Sequence, residues 1–246
     1  MLATAQGTPT GGQVTARQPE PGAGAGAGQA TAAARPRRAD SAGPAMVRIL
    51  APPMATGRPT PNKGGQPPVQ RGLGFLVDGR GFVLTHYDVV RDGKGLEVAL
   101  ADGRTFAVKQ VWRDPLAGIA VLRIEGRDLP ALLLGDSEGV RVGEATVAVG
   151  WPTASATPPV SATIRATGAA TGGNLAIDAP IPTESVGGPL INARGQVVGI
   201  TSADAHVTDG SPRGFAIPID RAKSMLREAQ ASAAPSRPAF ASASGR

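Results

Sequence analysis

The sequence predicts an all-β fold built from short antiparallel strands, with a single helix near the end of the chain. Between residues 71 and 219, short apolar or alternating runs are separated by Gly, Asp and Pro. Runs of this length and spacing are typical of a β-barrel or β-sandwich, and not of a parallel α/β sheet. Hydrophobic residues make up 41% of the chain and aromatic residues only 3%, so we expect a core of Val, Leu, Ile and Ala.

The predicted strands follow one another closely along the chain. They are the runs GFLV, GFVLT, LEVAL, TFAVKQVW, IAVLRI, ATVAVG, VSATIRATG, LAIDAP, QVVGITSA and GFAIPI. A helix is predicted after the last of them, over RAKSMLREAQA. The carboxylate of Asp220 is a suitable N-cap for this helix.

Both ends of the chain have the composition of disordered segments. Residues 1–70 are rich in Pro, Gly and Ala, include GAGAGAG, and are expected to form a disordered basic arm. The apolar stretch MVRIL at 46–50 is the exception, as an edge strand or a partner-binding segment. We therefore expect a folded domain over 71–221, and the end of the helix with a second tail over 222–246.

The positive charge of the chain belongs to its tails. The net charge is +6, but residues 1–70 carry a net +5 and residues 222–246 a net +3. The remaining residues, 71–221, therefore carry −2. Solvated basic tails explain this distribution, and no nucleic-acid partner is expected for the folded part.

Several classes of protein are excluded or disfavoured by composition. The chain has no cysteine, so it has neither disulfides nor thiolate zinc sites. No apolar run reaches the roughly 18 residues of a membrane span. The first residues, MLATAQGTPTGG, show neither a basic nor an apolar segment of a secretory signal.

A series of motifs occurs in a recognisable order between residues 72 and 219. They are GLGFLVDGRGFVLT, VALADGRTFAVKQVWRDP, IAVLRIEGRDLPALLLGDSEGVRVGEATVAVGWP, IDAPIP, GGPLINARGQVVGIT and GFAIPI. In order and spacing they resemble the HtrA/Deg branch of the trypsin-like serine proteases. The resemblance implies two perpendicular six-stranded β-barrels, over about 71–135 and 136–219, with the active site in the cleft between them.

The same resemblance implies that all three positions of the catalytic triad are changed. The histidine position falls on Asp88 in LTHYDVV, and the carboxylate position before IAVL falls on Gly118. In TESVGGPL, the serine position directly before the glycine pair falls on Val186. Ser185 stands where the family usually has Asn, and Glu184 replaces a Gly whose N–H helps to form the oxyanion hole.

These side chains lack the chemistry of a serine protease. Valine has no nucleophilic atom, glycine has no side chain, and an aspartate with a pKa of about 3.9 is a weak base at neutral pH. We therefore favour a noncatalytic pseudoprotease. The alternative is a serine-type endopeptidase with a rewired site, in which Ser185 turns into the cleft and meets His86.

Two arguments weigh against the rewired site. A shift of one residue along an extended segment turns its side chain to the opposite face, and no third group is evident to orient His86. We expect Ser185 to hydrogen-bond the loop backbone and His86 to lie on the surface or in a turn.

A metal site is a second alternative. The only two histidines, His86 and His206, are both expected near the cleft, where Asp88 or Asp204 would complete the ligands. Isolated loop histidines are more often exposed to solvent, so no metal or cofactor is predicted.

The cleft itself does not depend on the triad. An extended peptide pairs with strand edges through main-chain hydrogen bonds, so we predict a peptide or protein partner. The resemblance places these edges at Thr183, Glu184, Ser185, Val186, Gly187, Thr201, Ser202 and Ala203. A plainer alternative is that the domain is only a stable module and that the tails carry the function. Family members are often trimeric and extracytoplasmic, which implies a homo-oligomer and the same location for this chain.

Overall fold

The structure is a computed structural model of the chain. It describes residues 40–52, 68–152, 159–202 and 214–233. The strands in these ranges form two closed barrels of six strands each. This confirms the predicted two-barrel fold.

The first barrel is antiparallel throughout. Its strands are β1 (Met46–Ala51), β2 (Val69–Leu76), β3 (Phe82–His86), β4 (Glu97–Leu100), β5 (Thr105–Asp114) and β6 (Ile119–Ile124). Around the barrel they follow the order β1-β2-β3-β6-β5-β4, and β4 returns to pair with β1.

The second barrel repeats this arrangement. Its strands are β7 (Ala145–Ala148), β8 (Val160–Ala166), β9 (Leu175–Ile177), β10 (Pro189–Asn192), β11 (Val197–Ser202) and β12 (Gly214–Pro218). Their order is β7-β8-β9-β12-β11-β10, and β10 pairs with β7 to close the barrel.

Helices occupy the connections and the end of the described chain. The short helix α1 (Tyr87–Val90) follows β3, and α2 (Ile219–Ser232) follows β12. Three 3₁₀ helices span Asp40–Ala45, Gly168–Thr171 and Thr183–Ser185. Helix α2 contacts β3 and β6 of the first barrel and β11 and β12 of the second, so it bridges both.

The core is mainly aliphatic, as the composition predicts. The largest fully buried side chains are Phe75, Phe82, Met46, Ile49, Leu73, Leu76, Leu84, Leu100, Ile119, Leu122, Ile124 and Ile164. Leu226 and Ala229 of α2 join a core cluster that contains buried residues of both barrels. The helix is therefore part of the packed structure.

The strand β1 corrects two sequence-based expectations. The segment MVRIL is not an edge strand, because β1 pairs with β2 on one side and with β4 on the other. The first barrel also begins before the predicted boundary at residue 71. Prolines and glycines on both sides of this short run gave it the composition of the arm. The first barrel nevertheless closes only through the pairing of β1 with β4.

Strand β10 was missed by the sequence reading. It starts at Pro189, directly after the glycine pair, where local composition signals a turn. Proline is tolerated at the first residue of a strand, and here pairing with β7 and β11 overrides the turn signal.

Asp220 is not the N-cap of α2. Pro218 holds that position, and Asp220 lies in the first turn. Its Oδ2 accepts hydrogen bonds from Ser137 N and Ser137 Oγ, both at 2.6 Å, and Lys223 Nζ pairs with Oδ1. Burial raises the pKa of Asp220, but the bonds from Lys223 and Ser137 outweigh it and lower the pKa to about 2.

The role of β1 predicts a large cost for a core truncation. Ile49→Ala is expected to lower the free energy of unfolding by about 2–5 kcal/mol, because Ile49 is fully buried. The control is Leu116→Ala, whose side chain is 99% exposed and is expected to change stability by less than about 0.5 kcal/mol. Urea denaturation measures both, and equal effects would contradict the place of β1 in the barrel.

The lowered pKa of Asp220 predicts a pH-dependent contribution to stability. The folded-state pKa lies below the usual 3.8, so the contribution is present above that value and is lost as pH falls through about 2. Because the side chain is a quarter exposed, we expect Asp220→Asn to cost about 1 kcal/mol at pH 7. The difference from the wild type should shrink as pH falls through about 2 in urea titrations, whereas Ser224→Ala on the exposed face of α2, which removes no titratable group, should show no such trend.

Candidate functional site

The chain turns sharply where β3 ends. His86 is the last residue of the strand and the N-cap of α1, and its Nδ1 accepts a hydrogen bond from Asp88 N at 3.2 Å. The imidazole is buried, with 4% of the residue exposed. The expectation of a turn is therefore right, but the expectation of a surface histidine is wrong, because the ring caps the helix from inside.

Asp88 lies in the first turn of α1, on the open side of His86. Its Oδ2 is 3.6 Å from His86 Nδ1, and its Oδ1 is 3.5 Å from Arg91 Nη1. Half of the side chain is exposed. The turn into α1 thus brings Asp88 and His86 together, although an extended strand is absent here.

Gly118 lies behind the imidazole. Its carbonyl accepts a hydrogen bond from Tyr87 N at 2.8 Å. A Cβ at this position would lie 2.9 Å from Ile217 Cδ1 and 3.3 Å from His86 Nε2. The space for a side chain is therefore already filled, and residue 118 contributes only main-chain atoms.

The loop before β10 is a tight 3₁₀ turn that binds its own amides. Ser185 N donates to Pro182 O at 2.8 Å, Val186 N to Thr183 O at 3.3 Å, and Gly188 N to Ser185 O at 3.2 Å. These N–H groups point to carbonyls inside the loop. They are consequently not aimed at a bound carbonyl oxygen in the cleft.

Thr201 of β11 fixes this loop from below. Thr201 Oγ1 donates to Ser185 O at 2.8 Å and to Gly188 O at 3.1 Å. The main chain of Thr201 accepts from Gly187 N and donates to Gly188 O, both at 2.8 Å. We call this set of bonds the Thr201 clamp.

The first barrel holds the same loop from the other side. Leu73 N of β2 donates to Val186 O at 2.8 Å, and Thr85 Oγ1 donates to Leu73 O at 2.6 Å. Gly187 lies against these groups with φ +87°, and a Cβ there would overlap Leu73 O and Thr85 Oγ1. A glycine is therefore required at this contact between the barrels.

A pocket of about 390 Å³ opens between the barrels. It is lined by Val69, Gln70, Arg71, His86, Asp88, Val89, Thr183 and Val186. Its charged groups are partly compensated, since Arg71 lies 4.0 Å from Asp92 and Asp88 lies near Arg91. The aliphatic side chains of Val69, Val89 and Val186 give the rest of the lining an apolar character.

Ser185 does not take part in this pocket. The residue is 6% exposed, and its buried Oγ has no hydrogen-bond partner. The expected hydrogen bond from its side chain to the loop backbone is absent, and the Ser185 carbonyl is bound instead by Thr201 Oγ1. Ser185 and His86 therefore form no hydroxyl–imidazole pair in this conformation.

The predicted cleft residues fall into three groups. Thr183 and Val186 line the pocket, and Gln70 Nε2 bonds Glu184 O at 3.4 Å across its edge. Thr201 is not a free strand edge, because its main chain is bonded to Gly187 and Gly188 and pairs with Ala216. Ser202 is buried and pairs with Phe215, and Ala203 lies outside the described residues.

The metal hypothesis concerns residues that the structure mostly does not describe. His206 and Asp204 both lie outside the described ranges. Within those ranges, no group of three or more His, Cys, Asp or Glu side chains is placed to hold a metal ion.

A protein-family model matches the part of the chain that forms most of the two barrels. Residues 72–200, which include β2 to most of β11, match the trypsin-like peptidase domain. The chain belongs to the trypsin-like peptidase domain family. The matched range contains five of the pocket-lining residues, namely His86, Asp88, Val89, Thr183 and Val186.

Curated relatives place the chain in the HtrA-like branch of this family. "Putative serine protease HhoA" of Synechocystis sp. is 35% identical over 212 residues, which are 75% of this chain and 53% of that protein. "Probable periplasmic serine endoprotease DegP-like" of Pseudomonas fluorescens is 35% identical over 156 residues, 61% of this chain and 33% of the relative. The chain thus spans about half of the first relative and a third of the second.

A solved structure agrees with this assignment. "HtrA-type protease AlgW with decapeptide" is similar with a TM-score of 0.66 and 29% identity, covering 78% of this chain and 66% of that one. The HtrA-like fold prediction is confirmed. In the described part of the chain, no helix is long and apolar enough to cross a membrane.

Sequence reasoning missed the groups that hold the HtrA-like cleft together. Thr85, Leu73 and Thr201 support the loop of Val186 through contacts that join distant parts of the chain. A single threonine in a strand carries no local signal of such a role. Val69 and Gln70 of the pocket were assigned to the arm because the residues directly before them are rich in Pro and Gly.

The tight contact at Gly187 predicts a specific loss of stability. Gly187→Ala adds a methyl group that meets Leu73 O and Thr85 Oγ1, and it also forces alanine to a positive φ. The control is Gly143→Ala, where φ is +90° but nothing lies within 4 Å of the new Cβ. We expect a cost of about 1–2 kcal/mol for Gly143→Ala from backbone conformation alone. Gly187→Ala should cost at least about 2 kcal/mol more in urea denaturation, and equal costs would show that the loop is not clamped.

Proposed function

We propose that this chain is a noncatalytic HtrA-like pseudoprotease whose cleft binds an extended peptide. The observation that carries the proposal is the lining of the cleft, where Val186 and Asp88 lie, together with the buried Ser185 Oγ, which makes no hydrogen bond. Peptide binding needs only shape and main-chain groups. Hydrolysis through a triad needs the side chains that these positions lack.

The expected loss of catalysis is large. In subtilisin, loss of either the catalytic Ser or the catalytic His lowers kcat by about 10⁶-fold. Here position 186 is aliphatic, and the imidazole of His86 uses its Nδ1 to cap α1. Because residue 186 is a valine, this position offers no hydroxyl for the imidazole to deprotonate.

The amides around Val186 support the same conclusion. An oxyanion hole works through N–H donors that are already aimed at the developing charge. In this loop Val186 N donates to Thr183 O. The donor must break that bond before it can bind a substrate carbonyl.

The strand β2 supplies an edge for a bound peptide. Its first residues pair with β1, from Val69 opposite Ala51 to Gly72 opposite Ile49, whereas pairing with β3 begins only at Gly74. The half-exposed Val69 stands where this edge borders the pocket. A peptide added at this edge would have main-chain partners and an apolar contact. The decapeptide in the name of the AlgW structure supports peptides as the ligand class.

The second candidate is a serine-type endopeptidase with a rewired site. The named relatives are all proteases, and this favours the second candidate over a noncatalytic role. Ser185 is one residue from the nucleophile position, but its Oγ would have to leave its buried site and reach His86. The described side chains favour the first candidate, and the comparisons favour the second.

The relatives also bear on location and assembly. The Pseudomonas fluorescens protein carries the word periplasmic in its name. An extracytoplasmic location for this chain is our proposal on that similarity, as is assembly into a homo-oligomer on the resemblance to the HtrA/Deg branch.

One labelling experiment separates the two candidates. We expect no reaction of the wild type with a fluorophosphonate probe and no turnover of casein, because no activated hydroxyl faces the cleft. If the wild type is labelled and Ser185→Ala abolishes the labelling, the endopeptidase is established. Ser161→Ala, at an exposed residue of β8, is the control and should leave the labelling intact. Val186→Ser should remain inactive, because Asp88 and Gly118 are unchanged.

Peptide binding is measured in parallel by fluorescence polarisation with a labelled extended apolar peptide. Val69→Glu is expected to weaken binding by roughly tenfold, the effect of losing about 1.4 kcal/mol of apolar contact. Leu133→Glu is the matched control, since Leu133 is also exposed but does not line the pocket. Absence of binding by the wild type, or equal effects of the two variants, would overturn the cleft as the peptide site.

A further inference from the structure

A second pocket, of about 710 Å³, lies on the outside of the second barrel. Its walls come from the turn before β7, the connection between β8 and β9, and the start of α2. It shares no lining residue with the cleft pocket. Among its lining residues are two arginines, Arg141 and Arg221.

Arg221 is positioned by neutral groups. Its Nη1 lies 3.3 Å from Asn174 Oδ1, and its Nη2 lies 3.4 Å from Gly172 O. A Cβ at Gly173 would overlap Arg221 Nη2, so the missing side chain leaves room for the guanidinium. Carbonyl and amide oxygens orient the guanidinium, but they do not neutralise its charge.

The guanidinium of Arg141 is also held by neutral groups, while the main-chain N of this residue donates to Glu144 Oε2 at 3.3 Å. Its Nη1 donates to Glu138 O at 3.0 Å and to Val140 O at 3.3 Å. Across the described ranges, neither Arg141 nor Arg221 has a carboxylate oxygen within 4.0 Å of its guanidinium. Two oriented cations therefore line one pocket without a charge partner.

The pocket is also lined by two acidic residues, Glu138 and Asp220. The carboxylate of Asp220 is bound by Lys223 Nζ and by Ser137 N and Oγ. Glu138 is exposed, and its carboxylate makes no ion pair within the described residues. The lining carries two positive side chains, Arg141 and Arg221, and two negative ones, Glu138 and Asp220. Because Asp220 is bound within the protein, Glu138 is the lining carboxylate that is not taken up by a described neighbour.

The remaining lining combines apolar surface with a hydroxyl. Val142 is 62% exposed, and Val140 and Pro218 line the same pocket. Thr167 stands at the N-cap of a 3₁₀ helix, but its side chain makes no cap hydrogen bond. A ligand here would find two guanidinium forks, a hydroxyl donor and an apolar wall.

We propose that this pocket binds a carboxylate carried on an apolar group. Guanidinium groups bind carboxylates through paired, charge-assisted hydrogen bonds, and neither guanidinium of this pocket has a carboxylate partner within the described residues. The exposed side chain of Val142 covers the apolar part of the ligand. The site is separate from the cleft, so the inference stands whether or not the cleft binds peptides.

The test titrates the full chain with N-acetyl-leucine and with N-acetyl-leucinamide, which differ only in the carboxylate. Binding is followed by NMR chemical shifts of residues that line the pocket. We expect the acid to bind at least about tenfold more tightly than the amide, as a charge-assisted hydrogen bond implies. Equal affinities, or no binding of the acid, would overturn the proposal.

Variants assign the effect to the two arginines. Arg141→Gln and Arg221→Gln are each expected to weaken binding of the acid by about fivefold to tenfold. Arg227→Gln is the matched control, since Arg227 is exposed on α2 and does not line the pocket. A similar loss in the control would contradict the assignment. If a glutamine variant unfolds, Arg141→Lys and Arg221→Lys replace it, because they keep the positive charge. We expect the lysine variants to bind the acid more weakly than the wild type, because lysine lacks the paired N–H donors of the guanidinium.

Two further binding measurements identify the source of the carboxylate and the selectivity of the pocket. A leucine-terminated peptide that binds more tightly than N-acetyl-leucine, and loses this on C-terminal amidation, indicates a peptide terminus as ligand. Equal binding of the two acids indicates a small carboxylate, and both results support the site. Inorganic phosphate that binds as tightly as N-acetyl-leucine would overturn the preference for a carboxylate on an apolar group.

Discussion

The Thr201 clamp determines the path of the loop that carries Val186, and the cleft depends on it. One hydroxyl and the flanking main chain of β11 hold the carbonyls of Ser185 and Gly188 and the N–H of Gly187. Leu73 of the first barrel binds Val186 O from the opposite side. Buried polar networks are rigid when each member is satisfied. The loop therefore joins the two barrels through bonds that do not involve the side chain at position 186.

The bonds that join the two barrels therefore do not depend on the side chains at positions 88, 118 and 186. The structural bonds use main-chain atoms, two threonine hydroxyls and the small size of Gly187. The side chains at 88, 118 and 186 make none of the clamp bonds. His86 and Ile217 fill the space beside Gly118, so packing is complete without a side chain there. Function in such folds resides in the side chains of the site and not in the architecture.

The second barrel presents two faces of different character. Towards the cleft it contributes Thr183 and Val186 to a largely apolar lining. On its outer side, Arg141 and Arg221 are held by neutral acceptors, while Asp220 is taken up by Ser137 and Lys223. The net charge of −2 over residues 71–221 does not reveal these two guanidinium groups without a described carboxylate partner. Overall charge therefore says little about an individual pocket, since each pairing is decided by a few neighbours.

The sequence by itself determined the fold class, ten of the strands, the C-terminal helix and the place of Val186 directly before the glycine pair. These features follow from local patterns: alternation, turn residues, and the fixed offset of Val186 from the glycine pair. The sequence did not place β1 and β10 in their barrels, because closure depends on pairing with distant strands. Only the tertiary structure decided that His86 is buried as a helix cap, that Ser185 is turned away from it, and that Thr201 is a clamp and not a free edge. Each of these depends on contacts between segments far apart in the chain, and local composition carries no information about such contacts.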